Sequence, residues 1–148
     1  MIAPFPHHYQ VKVEGGAGSA VVSAAPRPEF LGGPPREFGG RDEWWSPEHL
    51  LLSAVGLCLK ATFDAVAARA RTPVLAYSSR VEGFLAGTPK GGAFSEIRVE
   101  VELVAAEEHA ARAGELLRKA KDHCIVANSL AVPVTLVSSV RVEEKVAV

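Results

Sequence analysis

Ser46-Pro47-Glu48-His49-Leu50-Leu51-Leu52-Ser53-Ala54-Val55-Gly56-Leu57-Cys58-Leu59-Lys60-Ala61-Thr62-Phe63 opens the segment that decides the fold. Ser46 can cap a helix, Pro47 suits the first helical position, and Glu48 favours the positive end of the helix dipole. The spacing predicts one helix to about Arg71, stopped before Pro73. Its apolar residues (Leu50, Leu51, Leu52, Val55, Leu57, Cys58, Leu59, Phe63 and Val66 among them) cover almost the whole circumference. Such a helix must be buried on nearly every side. One small sheet cannot enclose it, whereas a second copy of the chain could, so the pattern predicts a homodimer.

Working outward, residues 8–14 alternate, with Tyr9, Val11 and Val13 on one face, and predict a half-buried strand. Glu14-Gly15-Gly16-Ala17-Gly18 predicts a hairpin turn, and residues 19–24 the returning strand. Pro26 to Trp45 is rich in Pro and Gly; a loop of that length is functional or hides short strands. Beyond the helix, residues 74–86 and 94–105 predict a strand pair joined by Gly87-Thr88-Pro89-Lys90-Gly91-Gly92. Ile97, Val99, Val101 and Leu103 face inward in that reading. A second helix is expected over 107–122, with Ala110, Ala113, Leu117 and Ala120 as its inner stripe and Cys124 on the same spacing. A last strand is expected from about 132 to 146, with Val146 in phase. This order predicts an α+β fold of mostly antiparallel sheets around a buried central helix, in one domain over residues 1–148.

The charge balance is nearly even, with 16 Lys and Arg against 17 Asp and Glu. It supplies no basic field for nucleic acid or anionic lipid. Met1-Ile2-Ala3-Pro4-Phe5-Pro6 lacks the charged-then-apolar order of a signal peptide. The apolar stretch from Leu50 to Phe63 is interrupted by Lys60 and reads as too short to span a membrane. The expectation is a cytoplasmic protein with neither nucleic-acid nor membrane partner.

Only two cysteines are present, and in a reducing compartment such a pair is catalytic, redox-sensing or metal-binding, or simply packed. Taken alone, Cys58 reads as a core thiol. To be reactive it needs a cation nearby, because mid-helix the dipole gives no help. Cys124 follows His123, but His7, His8, His49 and His109 repeat no metal spacing with either cysteine. Neither metal nor cofactor is expected. Trp44 and Trp45 read as packing residues, or as an apolar wall for a greasy substrate or a dimer contact. Arg27, Arg36 and Arg41 lie in the long loop, where each alone reads as a surface charge.

Two motifs at matched spacing are more specific. Pro35-Arg36-Glu37-Phe38-Gly39-Gly40 with Ser46 through Cys58 resembles the first signature of the OsmC/Ohr family. His123-Cys124-Ile125-Val126-Ala127-Asn128-Ser129-Leu130 followed by Val132-Pro133-Val134 resembles the second, and the order of elements matches over nearly the whole chain. The cysteines stand 66 residues apart, as the family has them. The resemblance implies an intertwined homodimer with sites at the interface. It also implies a peroxidatic Cys58 that reduces an organic hydroperoxide, and a resolving Cys124 that closes a disulfide. A dithiol such as dihydrolipoamide, or another cellular thiol, would reopen it. Glu48 matches the family's glutamate.

The activating arginine of Ohr-type members has no counterpart in Gly15-Gly16-Ala17-Gly18. In OsmC-type members it precedes the proline-glutamate pair, where Arg36 and Arg41 stand, Arg41 being nearer. Ile125 occupies a place where proline is common. These departures point to the broader OsmC-like branch. Two further readings stay open: a thiol protein acting on another electrophile or disulfide, and a non-catalytic dimer that binds a hydrophobic ligand.

Overall fold

The computed structural model describes residues 3–144. It divides into two compact units, Met1–Leu50 and Leu51–Val148. In the first, β1 (Lys12–Gly15), β2 (Ala20–Ser23) and β3 (Phe30–Gly32) form an antiparallel sheet in that order. A single 3-10 turn follows at Arg36–Phe38. β1 is shorter than expected, because β2 offers only four partners, from Lys12↔Ser23 to Gly15↔Ala20. The face of Tyr9, Val11 and Val13 is also not half-buried. Val13 is 64% exposed, since nothing in the described chain packs over it.

The long helix α1 runs from Pro47 to Arg69. Ser46 caps it as the sequence indicates, its Oγ accepting from the His49 N–H at 3.1 Å. The helix extends beyond the apolar stretch noted in the sequence. At 23 residues it is long and apolar enough to cross a membrane by length and composition alone. Its packing is that of a core helix: Val55, Leu59, Phe63 and Ala67 form a buried seam.

The seam lies on the second sheet, built from β4 (Ala76–Thr88), β5 (Gly91–Ala105) and β6 (Val134–Val142). β4 and β5 make a hairpin longer than the sequence suggests, turning at Pro89-Lys90. Ile97, Val99, Val101 and Leu103 are all buried, and their β4 partners Gly83, Val81, Ser79 and Tyr77 lie on the same face. β6 runs parallel to β5 and starts at Val134; the predicted Val146 lies outside the described residues. Gly56 lets α1 approach the sheet, since a Cβ there would come within 2.9 Å of Val81. The other sheet face is polar, with Arg80 opposite Glu100 and Glu82 opposite Arg98.

The second helix α2 (Glu107–Asp122) covers the rest of the inner face, burying Ala113, Leu116, Leu117 and Ala120. After His123 the chain makes a short helix, α3 (Ile125–Asn128), which the sequence does not signal. Four residues are too few to show a helical period.

Because Leu59 is the buried neighbour of Cys58, Leu59→Ala should cost about 2–5 kcal/mol through the cavity it leaves. Urea unfolding at fixed protein concentration checks this. A loss below the size of a surface substitution would mean that α1 does not seat on the sheet through this seam.

Candidate active site

The second unit brings both cysteines to one place. Cys58 sits at the border of the α1 seam, half-buried, and packs against the core cluster that includes Cys124. Cys124 is only 1% exposed. Both are free thiols. Beside Cys58 the α1 surface opens abruptly, with Leu57 72% exposed. The Thr62 hydroxyl donates to the Cys58 carbonyl at 2.8 Å.

Cys124 is placed by the joint between α2 and α3. The His123 N–H closes the end of α2 on the Ala120 carbonyl at 3.2 Å. The Cys124 carbonyl accepts from the Asn128 N–H at 2.9 Å, and the Asn128 side-chain amide donates back to the Asp122 carbonyl at 2.9 Å. Asn128 thus ties both ends of the turn, a role that sequence reading could not separate from an ordinary turn residue.

Burial pushes the Cys124 thiol above its ordinary value of 9.0. The backbone N–H of Ala127 opposes this, the neighbouring Cys58 side chain adds to it, and the N–H of Val126 opposes it again. Tyr77 lies in the same neighbourhood. Its phenol is raised by burial first, with Asp64 and Cys124 adding to the rise, and its hydroxyl is buried without a hydrogen-bond partner. The Tyr77 ring lies tilted against Phe63, centroids 5.7 Å apart, and the Lys60 ammonium, paired with Asp64, lies 5.4 Å from the Tyr77 ring centre.

The remaining candidates lie in the first unit. Glu48 occupies the first turn of α1, and its Oε2 is buried without a hydrogen-bond partner. A buried carboxylate oxygen in that state calls for a donor, best a cationic one. α1 runs unbroken from Pro47 to Arg69, so Glu48 and Cys58 stand about 15 Å apart along its axis. Arg36 donates to Asp42 at 3.3 Å on an exposed surface. The Arg41 guanidinium lies over the Trp44 ring, 5.6 Å from its centre. Trp44 is half-buried, while Trp45 is largely exposed. Among the described residues no group of three His, Cys, Asp or Glu could hold a metal ion.

An α+β chain with two adjacent free thiols on a central helix and a helix joint defines a class of thiol proteins. The family model of OsmC-like proteins matches residues 40–138, and the chain belongs to that family. The fold matches an OsmC-like protein of unknown function from Vibrio cholerae at a TM-score of 0.82 and 15% identity, over 90% of this chain and 100% of that one. It also matches the organic hydroperoxide resistance protein OsmC from Legionella pneumophila (TM-score 0.73, 22% identity, 94% and 100% covered). A third match is an organic hydroperoxide resistance protein from Elizabethkingia anophelis with bound thiocyanate (TM-score 0.73, 17% identity, 94% and 100% covered). No curated protein matches the chain significantly.

The two thiols should differ sharply in reactivity. With limiting iodoacetamide near neutral pH, peptide mapping should find Cys58 labelled well before Cys124. The raised Cys124 value also has a sign. The folded chain holds that proton more tightly than the unfolded one, so the associated stability is full below about 9 and is lost as pH rises through the folded value. Cys124→Ala should flatten the alkaline fall in stability. An unchanged slope would place the source elsewhere.

Proposed function

We propose that this chain is a cytoplasmic, thiol-dependent peroxidase that reduces organic hydroperoxides to alcohols, working as a homodimer. The observation that supports it most is the pairing of a half-buried Cys58 with a fully buried Cys124 directly behind it. Membership of the OsmC family and the likeness in fold to organic hydroperoxide resistance proteins agree with a peroxide-related redox role. The family match runs from residue 40 to 138 across both units, which favours reading them as one functional domain.

The chemistry divides by accessibility and protonation. The Cys58 thiolate attacks one peroxide oxygen; the O–O bond breaks, the alkoxide leaves and takes up a proton as the alcohol, and Cys58 becomes a sulfenic acid. Cys124, held as a thiol by its raised pKa, is a poor nucleophile toward the peroxide and leaves the first step to Cys58. Its sulfur then displaces the sulfenic hydroxyl, which departs as water with the Cys124 proton, and a disulfide closes. An external dithiol or thiol reopens it by exchange and is itself oxidised to a disulfide. A cation beside Cys58 favours the thiolate. Arg41 is the better donor, since Arg36 already spends a donor on Asp42.

What one chain leaves open supports a dimer. The α1 face of Ser53, Leu57, Ala61 and Ala65 is exposed, as are Val11, Val13, Leu31, Phe38 and Trp45. An apolar surface of this kind marks an interface. A second copy also resolves the helix geometry. A carboxylate about 15 Å along α1 cannot serve its own Cys58, but Glu48 of the second copy can orient the arginine there.

With cumene hydroperoxide and dihydrolipoamide, wild-type protein should turn over, Cys58→Ser should be inactive, and Cys124→Ser should stop at a sulfenic acid that dimedone traps. Retained turnover in Cys58→Ser would contradict the assignment. Light scattering at low micromolar concentration should show a dimer; a stable folded monomer would refute that part. Mixed dimers of Cys58→Ser and Glu48→Ala chains should recover about half of wild-type activity, because one site then joins an intact Cys58 to the other chain's intact Glu48. Mixed dimers as inactive as either parent would mean that Glu48 acts within its own chain or not at all.

A further inference from the structure

One side chain at the edge of the core carries a polar atom with nothing to bind. Tyr77 lies on the inner face of β4, paired with Leu103 of β5, and packs against the buried cluster that holds Cys124. Its hydroxyl is buried and has no hydrogen-bond partner. A buried donor without an acceptor destabilises a fold, and phenylalanine would fill the same space without that loss. The hydroxyl does nothing for the resting protein, so its use lies in another state of the molecule.

Helix α1 runs beside β4 in the opposite direction, and this brings Tyr77 to the thiols. A Cβ on Gly83 would come within 2.8 Å of Leu52 Cδ2, and a Cβ on Gly56 within 2.9 Å of Val81 Cγ2. Further along, the Phe63 ring lies against Tyr77 with centroids 5.7 Å apart. Cys58 comes between Gly56 and Phe63, so it stands level with the stretch of β4 from Val81 to Tyr77. Cys124 closes the same neighbourhood: it adjoins the Cys58 side chain, and its charge is felt at the phenol. Around this group the facing stripe of α2 (Ala113, Leu117 and Ala120) and Leu103 of β5 are apolar. The charged and titratable side chains set near it are Cys58, Lys60 and Asp64, all on α1. Burial first, then Asp64 and Cys124, raise the phenol above 10.0, so at neutral pH it keeps its proton and stays a donor.

We propose that Tyr77 is a further catalytic residue of the thiol site, its hydroxyl donating a hydrogen bond to the Cys124 sulfur as that sulfur loses its proton. The proposal rests on the thiol-peroxidase reading above and goes beyond it in giving the second step a residue of its own. In that step the Cys124 sulfur bonds to the Cys58 sulfur, and the S–O bond of the sulfenic acid breaks. The departing hydroxide takes the Cys124 proton and leaves as water. Tyr77 keeps its own proton throughout and steadies negative charge on a sulfur that burial otherwise holds as a thiol. When an external thiol attacks the Cys58 sulfur of the disulfide, Cys124 leaves as a thiolate and meets the same donor.

The test is single-turnover oxidation of the full chain. Reduced protein receives one equivalent of cumene hydroperoxide. Samples are quenched over time with dimedone for the Cys58 sulfenic acid, and with N-ethylmaleimide under denaturing conditions for free thiols. Tyr77→Phe should slow disulfide closure by roughly tenfold or more, the range expected for losing a hydrogen bond to a charged group, so that the dimedone adduct accumulates. Its closure rate should also rise at higher pH than that of the wild type, because more alkali is needed to form the same thiolate. In thermal unfolding the reduced variant should be at least as stable as the wild type, since it loses an unpaired buried hydroxyl. Closure at the wild-type rate with the wild-type pH profile overturns the proposal and leaves the peroxidase reading standing. A less stable variant also overturns it, because the hydroxyl is then bonded in the resting state. Equal slowing of sulfenic acid formation and of closure marks a packing effect and overturns it too. If wild-type Cys58 gives no sulfenic acid at all, the peroxidase reading falls and this role with it.

Discussion

The packing of α1 against β4 and β5 governs everything else in the molecule. The helix is apolar almost all round, yet the sheet takes only the seam of Val55, Leu59, Phe63 and Ala67. Burial of that seam fixes the rotation of the helix, and the rotation decides what happens to Cys58. One position along, Leu59 is locked into the core; one position back, Leu57 points outward. Cys58 falls between them, close enough to the core to meet Cys124 and near enough to the surface to meet a solute. A turn of the helix by one residue would either bury the thiol completely or part it from its partner.

The same constraint explains why the chain reads as half of something. A helix that satisfies one face leaves Ser53, Leu57, Ala61 and Ala65 uncovered. The short sheet of the first unit leaves its own apolar residues uncovered too. A second copy is proposed to cover such surfaces. The proposed division of labour between the cysteines rests on their depth: the outer sulfur is open to solutes, and burial holds the inner one as a thiol.

Much of this was legible in the sequence, and the exceptions have physical reasons. The start of α1 could be read residue by residue because capping is a local interaction, and Ser46 bonds the His49 N–H as its type and place require. The inward set of β5 was legible because alternation has a strict period of two. Residues 8–11 alternate equally well but form no strand, since alternation says which face is apolar and not whether a neighbour exists to pair with it. The joint holding Cys124 was missed because α3 has only four residues, and its closure by Asn128 spans an irregular turn. The hold of Trp44 on Arg41 was likewise invisible, because a contact three residues apart in a loop carries no periodic signal. The meeting of the cysteines was implied by the family resemblance; their unequal depth needed the tertiary structure.

The central claim is that Cys58 and Cys124 form one two-electron redox unit. Its most direct test is peptide mapping by mass spectrometry after reduced protein receives one equivalent of cumene hydroperoxide per chain. The account predicts the loss of two hydrogen atoms per chain and a single crosslinked peptide joining Cys58 to Cys124 within one chain. Oxygen added to Cys58 while Cys124 stays free, or both thiols left untouched, would contradict it.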